Sequence, residues 1–162
     1  MGIRAEALAD RLEQGARVLL DFVAALPESE WQNLCADEGR AVSVMAHHVA
    51  SAYLVEMDLV RVLATGQPIA GVTWDMIHEL NAKHADTYAG ADRQQTLALL
   101  LQNSREAANA VRALSDEQLD RAAPVSLHWE APLTAQYFIE EHTIAHSYRH
   151  LASIRAAVTA AI

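Results

Sequence analysis

Residues 140–155 read EEHTIAHSYRHLASIR and place His142, His146 and His150 four residues apart near the C-terminus. On an α-helix a step of four residues turns the side chain by only about 40°, so the three imidazoles share one face. Histidines at positions i and i+4 of a helix can reach one metal ion with both rings. This stretch therefore predicts a long C-terminal helix that carries a candidate metal-binding face.

The same predicted helix is also apolar on the side away from its histidines. The apolar side chains on that side are Ile144, Leu151, Ile154 and Val158. A helix that presents residues suited to burial on its histidine side and on the opposite side is buried on both sides. Either the helix is central in its own bundle, or a second subunit covers one side. Both interpretations stay open at this stage, and we carry the homodimer forward as a prediction.

The rest of the chain predicts three further long helices, because it is rich in Ala and Leu and contains only four prolines. The predicted helices cover residues 3–25, 41–64 and 93–114, and a last segment from Thr134 to the C-terminus. Residues 71–88 have only a weak helical period and stay ambiguous, and residues 122–133 predict a loop. Four long helices with moderate connections predict an all-α fold, an up-and-down four-helix bundle, formed as one domain over residues 1–162.

Composition and charge exclude several classes of partner. The formal charge of −9 at pH 7 argues against nucleic acid and against an anionic membrane surface, since both need Lys and Arg to neutralise phosphate. The N-terminus is charged from its start, unlike a signal peptide, and no stretch reaches the roughly 18 apolar residues of a membrane span. A single cysteine, Cys35, fits a reducing compartment, so we expect a cytoplasmic protein.

A metal held by the last helix needs a third ligand from another helix, and His48 is the best candidate. It lies in the middle of the second predicted helix, on a stripe where a purely structural core would carry Leu or Ile. That predicted stripe consists of Val44, His48, Ser51, Ala52, Val55, Leu59 and Val62. The neighbouring His47 points about 100° away and is expected to face outward or sideways. Three histidines leave coordination positions open, which is typical of a catalytic site, and zinc is the expected ion, with nickel or iron as alternatives.

Two stretches resemble a known family. Residues 42–56, VSVMAHHVASAYLVE, resemble the helix-two signature of the DinB-like superfamily, the DinB and YfiT-type metal-dependent bundles. Residues 142–155, HTIAHSYRHLASIR, resemble that family's last helix, which ends in His-x-x-x-His. Carried over by position, His48 matches the helix-two ligand, and His146 and His150 match the last-helix pair. The resemblance covers nearly the whole chain and implies a metal-dependent four-helix bundle.

The resemblance also implies a class of chemistry. Relatives include the mycothiol-dependent maleylpyruvate isomerases, so it implies thiol S-transfer or isomerisation with a low-molecular-weight thiol such as bacillithiol, mycothiol or glutathione as cosubstrate. Some of these relatives use a Glu of the last helix as a ligand, but here Glu141 points about 100° from His142 and is not chosen. We assign His142 as the candidate catalytic residue, which would position substrate or move a proton. Two other interpretations stay open: His142 is an alternative metal ligand, or it is a polar residue at the end of the bundle. Arg149 and Arg155 are the basic groups available for an acidic thiol.

Three interpretations of function follow. The chain is a metal-dependent enzyme, a thiol S-transferase or isomerase with a metal-assisted hydrolase as the variant; or it is a non-catalytic homodimeric bundle that binds metal or a small ligand; or its histidines are purely structural. From their place in the ambiguous segment, His78 and His84 are expected to be solvated or to overhang the mouth of a pocket. Glu56 and Asp58 lie two turns or more beyond His48 and are not chosen as carboxylates that orient the ligands.

Overall fold

The computed structural model describes residues 2–159 and consists mainly of helices. The long helices are α1 (Ile3–Ala25), α2 (Val42–Ala64), α3 (Trp74–Thr87), α4 (Arg93–Arg112) and α7 (Ala145–Thr159). Two short helices are α5 (Asp116–Asp120) and α6 (Ala135–Phe138). A π-helical turn, Ile139–Ile144, joins α6 to α7, and we refer to residues 135–159 as the C-terminal helix. The predicted long helices are confirmed, except that the expected continuation of the last helix to the C-terminus lies outside the described residues, and the ambiguous segment forms α3.

Two small hairpins connect the helices. The first pairs β1 (Leu34–Cys35) with β2 (Arg40–Ala41), and the second pairs β3 (Ala122–Val125) with β4 (Ala131–Thr134), both antiparallel. The prediction of a loop over residues 122–133 is therefore wrong. Pro124 lies opposite Pro132 in the second hairpin, and prolines, which lack an N–H, are tolerated in such edge positions.

The first two long helices, α1 and α2, follow each other in sequence but are not neighbours in the bundle. α4 packs against both α1 and α2, and the C-terminal helix packs against the same two helices from the other side. The order around the bundle is therefore α1, α4, α2 and the C-terminal helix, with α1 diagonal to α2. The four-helix bundle is confirmed, and this order brings α2 into direct contact with the C-terminal helix.

The core face of α2 differs from the predicted stripe. Its buried large side chains are Val42, Val44, Met45, Val49, Tyr53, Met57, Val60 and Leu63, of which only Val44 belongs to the predicted stripe. Val55 is 63% exposed and Val62 is 37% exposed, so their assignment to the inner stripe is wrong. α2 is apolar on more than one side, so the sequence pattern alone does not show which apolar stripe faces the core. His48 lies at the edge of the buried face.

Local signals fix the ends of several elements. The Thr134 hydroxyl accepts a hydrogen bond from the backbone N–H of Tyr137, so Thr134 caps the C-terminal helix as predicted. Ser115 and Gln118 form a capping box at the start of α5. At the other end of the bundle, the Arg93 guanidinium donates to carbonyl groups of α1's last turn and just beyond, those of Val23, Ala24 and Leu26. These contacts satisfy carbonyls that have no partner inside the helix.

Both apolar sides of the C-terminal helix are covered within one chain. Ile144, Leu151 and Ile154 are at most 6% exposed, and Ser153 on the histidine side is 8% exposed. The helix is thus central in its own bundle, and its two-sided pattern does not require a second subunit; the homodimer stays a prediction. α3 has no buried residue and lies on the surface. Within residues 2–159, no helix combines the length and apolarity that crossing a membrane requires.

Candidate metal centre

The structure brings the three predicted ligands together. His48 of α2 and His146 and His150 of α7 each offer one ligand atom, and these atoms all lie within 4.8 Å of one another. The Nε2 atoms of His48 and His146 are 3.1 Å apart, and the ring centroids of His146 and His150 are 4.5 Å apart. Two nitrogens bound to one tetrahedral ion at about 2.1 Å would lie roughly 3.4 Å apart. Small ring movements therefore suffice to hold an ion.

The environment keeps the rings of His48 and His150 uncharged. Burial lowers the pKa of His48 to about 2, with the neighbouring His146 and His150 adding to the effect. Burial, followed by His146, lowers the pKa of His150 to about 3. A metal ion binds the neutral imidazole, so the ligands need no deprotonation at neutral pH. All three rings are only partly buried, which leaves the centre reachable from solvent. The donor set thus fits a divalent transition metal of the zinc or nickel type.

A buried carboxylate stands behind His146. Glu56 Oε1 lies 3.0 Å from His146 Nδ1, and the Glu56 side chain is 15% exposed. Burial raises the pKa of Glu56, and His146 opposes that rise. A carboxylate on the distal nitrogen fixes the tautomer of a ligand histidine and turns its Nε2 toward the metal. The prediction that Glu56 does not orient a ligand histidine is therefore wrong. It lies too far along α2 to serve His48, but the bundle order places it beside the C-terminal helix.

A sequence signal for Glu56 was available. It falls three residues after Tyr53 and four before Val60, both of which are in the core. An acidic residue at a core position of a helix needs a partner, because an unpaired buried charge is costly. The partner lies on the neighbouring helix, which the sequence pattern alone does not identify.

The first hairpin supplies a second carboxylate. Glu38 Oε1 approaches His150 Nδ1 to 3.3 Å, although the geometry is not that of a hydrogen bond and this nitrogen is buried without a hydrogen-bond partner. The Ser153 hydroxyl donates to Asp37 Oδ2 at 2.6 Å and ties the hairpin to α7. The turn between β1 and β2 therefore covers the outer ring of the centre and places Glu38 where a small rotation of His150 would complete the bond.

Comparison with known proteins places the chain in a family. A model of the DinB superfamily matches residues 11–154. The chain belongs to the DinB superfamily. A search of curated proteins finds no relative that matches this sequence.

Solved structures share the fold of this DinB-superfamily chain. YfiT from Bacillus subtilis, described as a probable metal-dependent hydrolase with an unusual four-helix bundle topology, is 21% identical with a TM-score of 0.74, over 97% of this chain and 87% of that one. An uncharacterised protein from Clostridium difficile 630 is 18% identical with a TM-score of 0.73, over 96% of both chains. A Streptococcus pneumoniae protein is 20% identical with a TM-score of 0.72, over 96% of this chain and 91% of that one.

Glu56→Gln is expected to weaken zinc binding by roughly 10- to 100-fold, because Gln still accepts the His146 N–H but no longer supplies the charge that makes the ring more basic. Competition with a chelator of known zinc affinity measures the change. Asp58→Asn is the matched control, since Asp58 lies on the same helix, 74% exposed, and pairs with Arg61. Equal affinities for the Glu56→Gln variant and the parent would show that the carboxylate does not tune the ligand.

His142 lies outside the group of three ligands. Its Nε2 is 2.8 Å from Nε2 of His128, and its ring stacks on Phe138 with centroids 4.2 Å apart. Its predicted catalytic role in the DinB domain stays a prediction. The sequence reasoning missed His128, which lies in the second hairpin and carries no periodic signal.

His84 of α3 lies beside the centre instead of in solvent. Its Nε2 is 2.9 Å from His47 Nδ1, and its ring meets that of His48 edge-on with centroids 5.5 Å apart. Burial, followed by the nearby His47, lowers the pKa of His84 to about 4. His47 also stacks on Tyr88, with centroids 3.8 Å apart. His78 lies away from the centre, with its ring centroid 6.4 Å from that of Trp74.

Proposed function

We propose that this DinB-superfamily chain is a metal-dependent enzyme that acts on a small molecule at the centre formed by His48, His146 and His150. The observation that carries the proposal is the convergence of these three imidazoles within 4.8 Å. Three protein ligands leave coordination positions for water or substrate, which is the usual arrangement of a catalytic site. The probable hydrolase activity named for the YfiT relative is consistent with this proposal.

A bound divalent ion would supply Lewis acidity and would lower the pKa of a nucleophile, either water or a thiol. The residues of the chain prepare the place where this chemistry happens. Glu56 holds the His146 ring with its Nε2 toward the centre. The turn that carries Glu38 covers His150 and limits access of bulk water. The rings of His48 and His150 stay neutral, so acid competes with the metal for these two ligands only well below neutral pH.

Free positive charge near the centre supports an acidic cosubstrate, which we propose is a low-molecular-weight thiol. The basic groups considered in the sequence are engaged elsewhere: Arg149 pairs with Glu141 at 3.2 Å, and the Arg155 guanidinium lies 5.3 Å from the Phe22 ring centroid. Arg40, on β2, is different. It lies in the hairpin whose turn carries Glu38, 3.3 Å from His150, and its charge adds to the lowered pKa values of His48, His84 and His150. Among residues 2–159, no carboxylate forms an ion pair with it.

The test uses the full chain loaded with zinc or nickel. It is assayed with glutathione, bacillithiol or mycothiol against an electrophile such as chlorodinitrobenzene, and separately with p-nitrophenyl acetate. We expect thiol-dependent turnover that is lost in the His48→Ala variant, which removes a ligand. Ester hydrolysis without thiol transfer would identify the hydrolase variant. A metal-loaded chain that is inactive in both assays would overturn the enzyme proposal and leave a metal-binding module.

A further inference from the structure

A second pair of histidines has the geometry of the candidate centre. The His128 and His142 rings are perpendicular, at 90°, with centroids 5.1 Å apart and Nε2 atoms 2.8 Å apart. The corresponding values for His48 and His146 are 89°, 5.0 Å and 3.1 Å. In each pair the two histidines belong to different structural elements, and the Nε2 atom of one ring faces the Nε2 atom of the other. The His128–His142 pair shares no residue with the three-histidine centre.

Two uncommon backbone conformations produce this pair. His142 lies in the π-helical turn Ile139–Ile144. Such turns are rare in proteins, and those that occur are often found at functional sites. His128 directly precedes Trp129 and Glu130, which have φ angles of 54° and 61°. Left-handed conformations of non-glycine residues are uncommon and energetically unfavourable. The chain keeps both conformations, and together they bring the two rings into contact.

Neighbouring contacts hold the His128 loop in place. The Trp74 indole N–H donates to the Leu127 carbonyl at 3.2 Å. The Ser126 hydroxyl donates to the Val72 carbonyl at 2.7 Å and accepts from the Val72 N–H at 3.1 Å. The position of His128 is thus fixed by the segment that leads into α3. His142 is held on its other side by Phe138, so neither ring is a freely rotating surface side chain.

The chemical state of the pair suits a cation. Burial, followed by the charge of His128, lowers the pKa of His142 to about 4, so this ring is neutral at pH 7 and has a lone pair to donate. Arg149, another positive group that acts on His142, is ion-paired with Glu141. Both rings are only partly buried, and the adjacent Tyr137 is 45% exposed, so an ion can enter from solvent.

We propose that His128 and His142 form a second transition-metal site, in which two neutral imidazoles hold a divalent ion such as Zn²⁺, Ni²⁺ or Cu²⁺ and water completes the coordination. Two nitrogens on one tetrahedral ion lie roughly 3.4 Å apart, so the pair opens by about half an ångström on binding. With two protein ligands instead of three, this site binds more weakly than the three-histidine centre. The proposal stands independently of the proposed function.

Equilibrium dialysis of the full metal-free chain against rising concentrations of Zn²⁺, with elemental analysis of bound zinc, tests the site. We expect two ions per chain in the parent, the second at higher free zinc. His128→Gln and His142→Gln should each remove one ion and spare the tight one. His48→Ala should weaken the tight site and spare the weaker one. His78→Gln, on the exposed α3, is the control and should keep both.

Circular dichroism of each variant establishes that it is folded, and His128→Gln changes only a partly exposed loop residue. One ion per chain in the parent, with no change in His128→Gln, would overturn the proposal and leave a hydrogen-bonded histidine pair. Loss of the second ion in a His47→Gln variant, with His128→Gln unchanged, would overturn it equally and move the site to the His47–His84 contact. Failure of the three-histidine centre is recognised separately, because it appears only as loss of the tight ion.

Discussion

Replacing His48 with alanine is expected to lower the zinc affinity of the three-histidine centre by roughly 100- to 1,000-fold. Structural zinc sites with four ligands bind with about 10–16 kcal/mol, or about 2.5–4 kcal/mol per ligand, and each 1.4 kcal/mol is a factor of ten. His48 is the ligand that α2 contributes, with its Nε2 3.1 Å from that of His146. Without it, both remaining ligands lie on a single helix. Chelator competition on the purified chain measures the change.

His48→Ala is a cleaner variant than His146→Ala. Removing His146 also leaves the buried Glu56 carboxylate without the ring that lies 3.0 Å away. An uncompensated buried charge destabilises the fold, so lost binding would be confounded with unfolding. The control is His78→Ala, whose ring lies beside Trp74 and away from the centre. Zinc affinity that is equal in the His48→Ala variant and the parent would exclude the three-histidine site.

The metal-free chain is expected to lose roughly 2–3 kcal/mol of unfolding free energy between pH 7.5 and pH 5.5 through His48 and His150. In the folded chain their pKa values are lowered to about 2 and about 3, below the ordinary value of 6.5. The unfolded chain therefore binds protons that the folded chain refuses, and stability falls as the pH drops below 6.5. Each ring accounts for about 1.4 kcal/mol of lost unfolding free energy when the pH is one unit below 6.5.

Other groups modify this pH dependence without reversing it. The lowered pKa values of His84 and His142 act in the same direction, whereas the raised pKa of Glu56 lets the folded chain take up a proton and opposes them. Urea denaturation at the two pH values measures the effect. His48→Gln should reduce the pH dependence by about half of the two-histidine contribution. Constant or increasing stability on acidification would contradict the buried, neutral state of these rings.

The sequence predicted the parts of the molecule that repeat along one helix. His146 and His150 were found because a four-residue step keeps both on one face, and His48 because a histidine interrupts an apolar helix. The ends of α1 and the cap at Thr134 follow from Pro27 and a local hydroxyl. Each of these features depends on residues within a few positions of one another, so the pattern is visible without a structure.

Features that depend on which helices are neighbours were not predictable in this way. Glu56 serves a histidine of another helix, and only the order around the bundle shows that α2 contacts the C-terminal helix. The inner stripe of α2 was placed wrongly because Val55 and Val62 form a second apolar stripe that faces outward. His128 was missed because its position follows from a hairpin with left-handed residues, which has no sequence period.

The diagonal placement of α1 and α2 has a consequence for biosynthesis. His48 and His146 are separated by 98 residues, so α7, which bears His146 and His150, is synthesised well after α2. Until then α2 lacks one of its two packing partners, and the N-terminal ligand has nothing to meet. Such long-range contacts form slowly, since their loop closure precedes any gain from packing. The centre is thus completed only after α7 has been made and has packed against α2, and metal uptake reports that the bundle has closed.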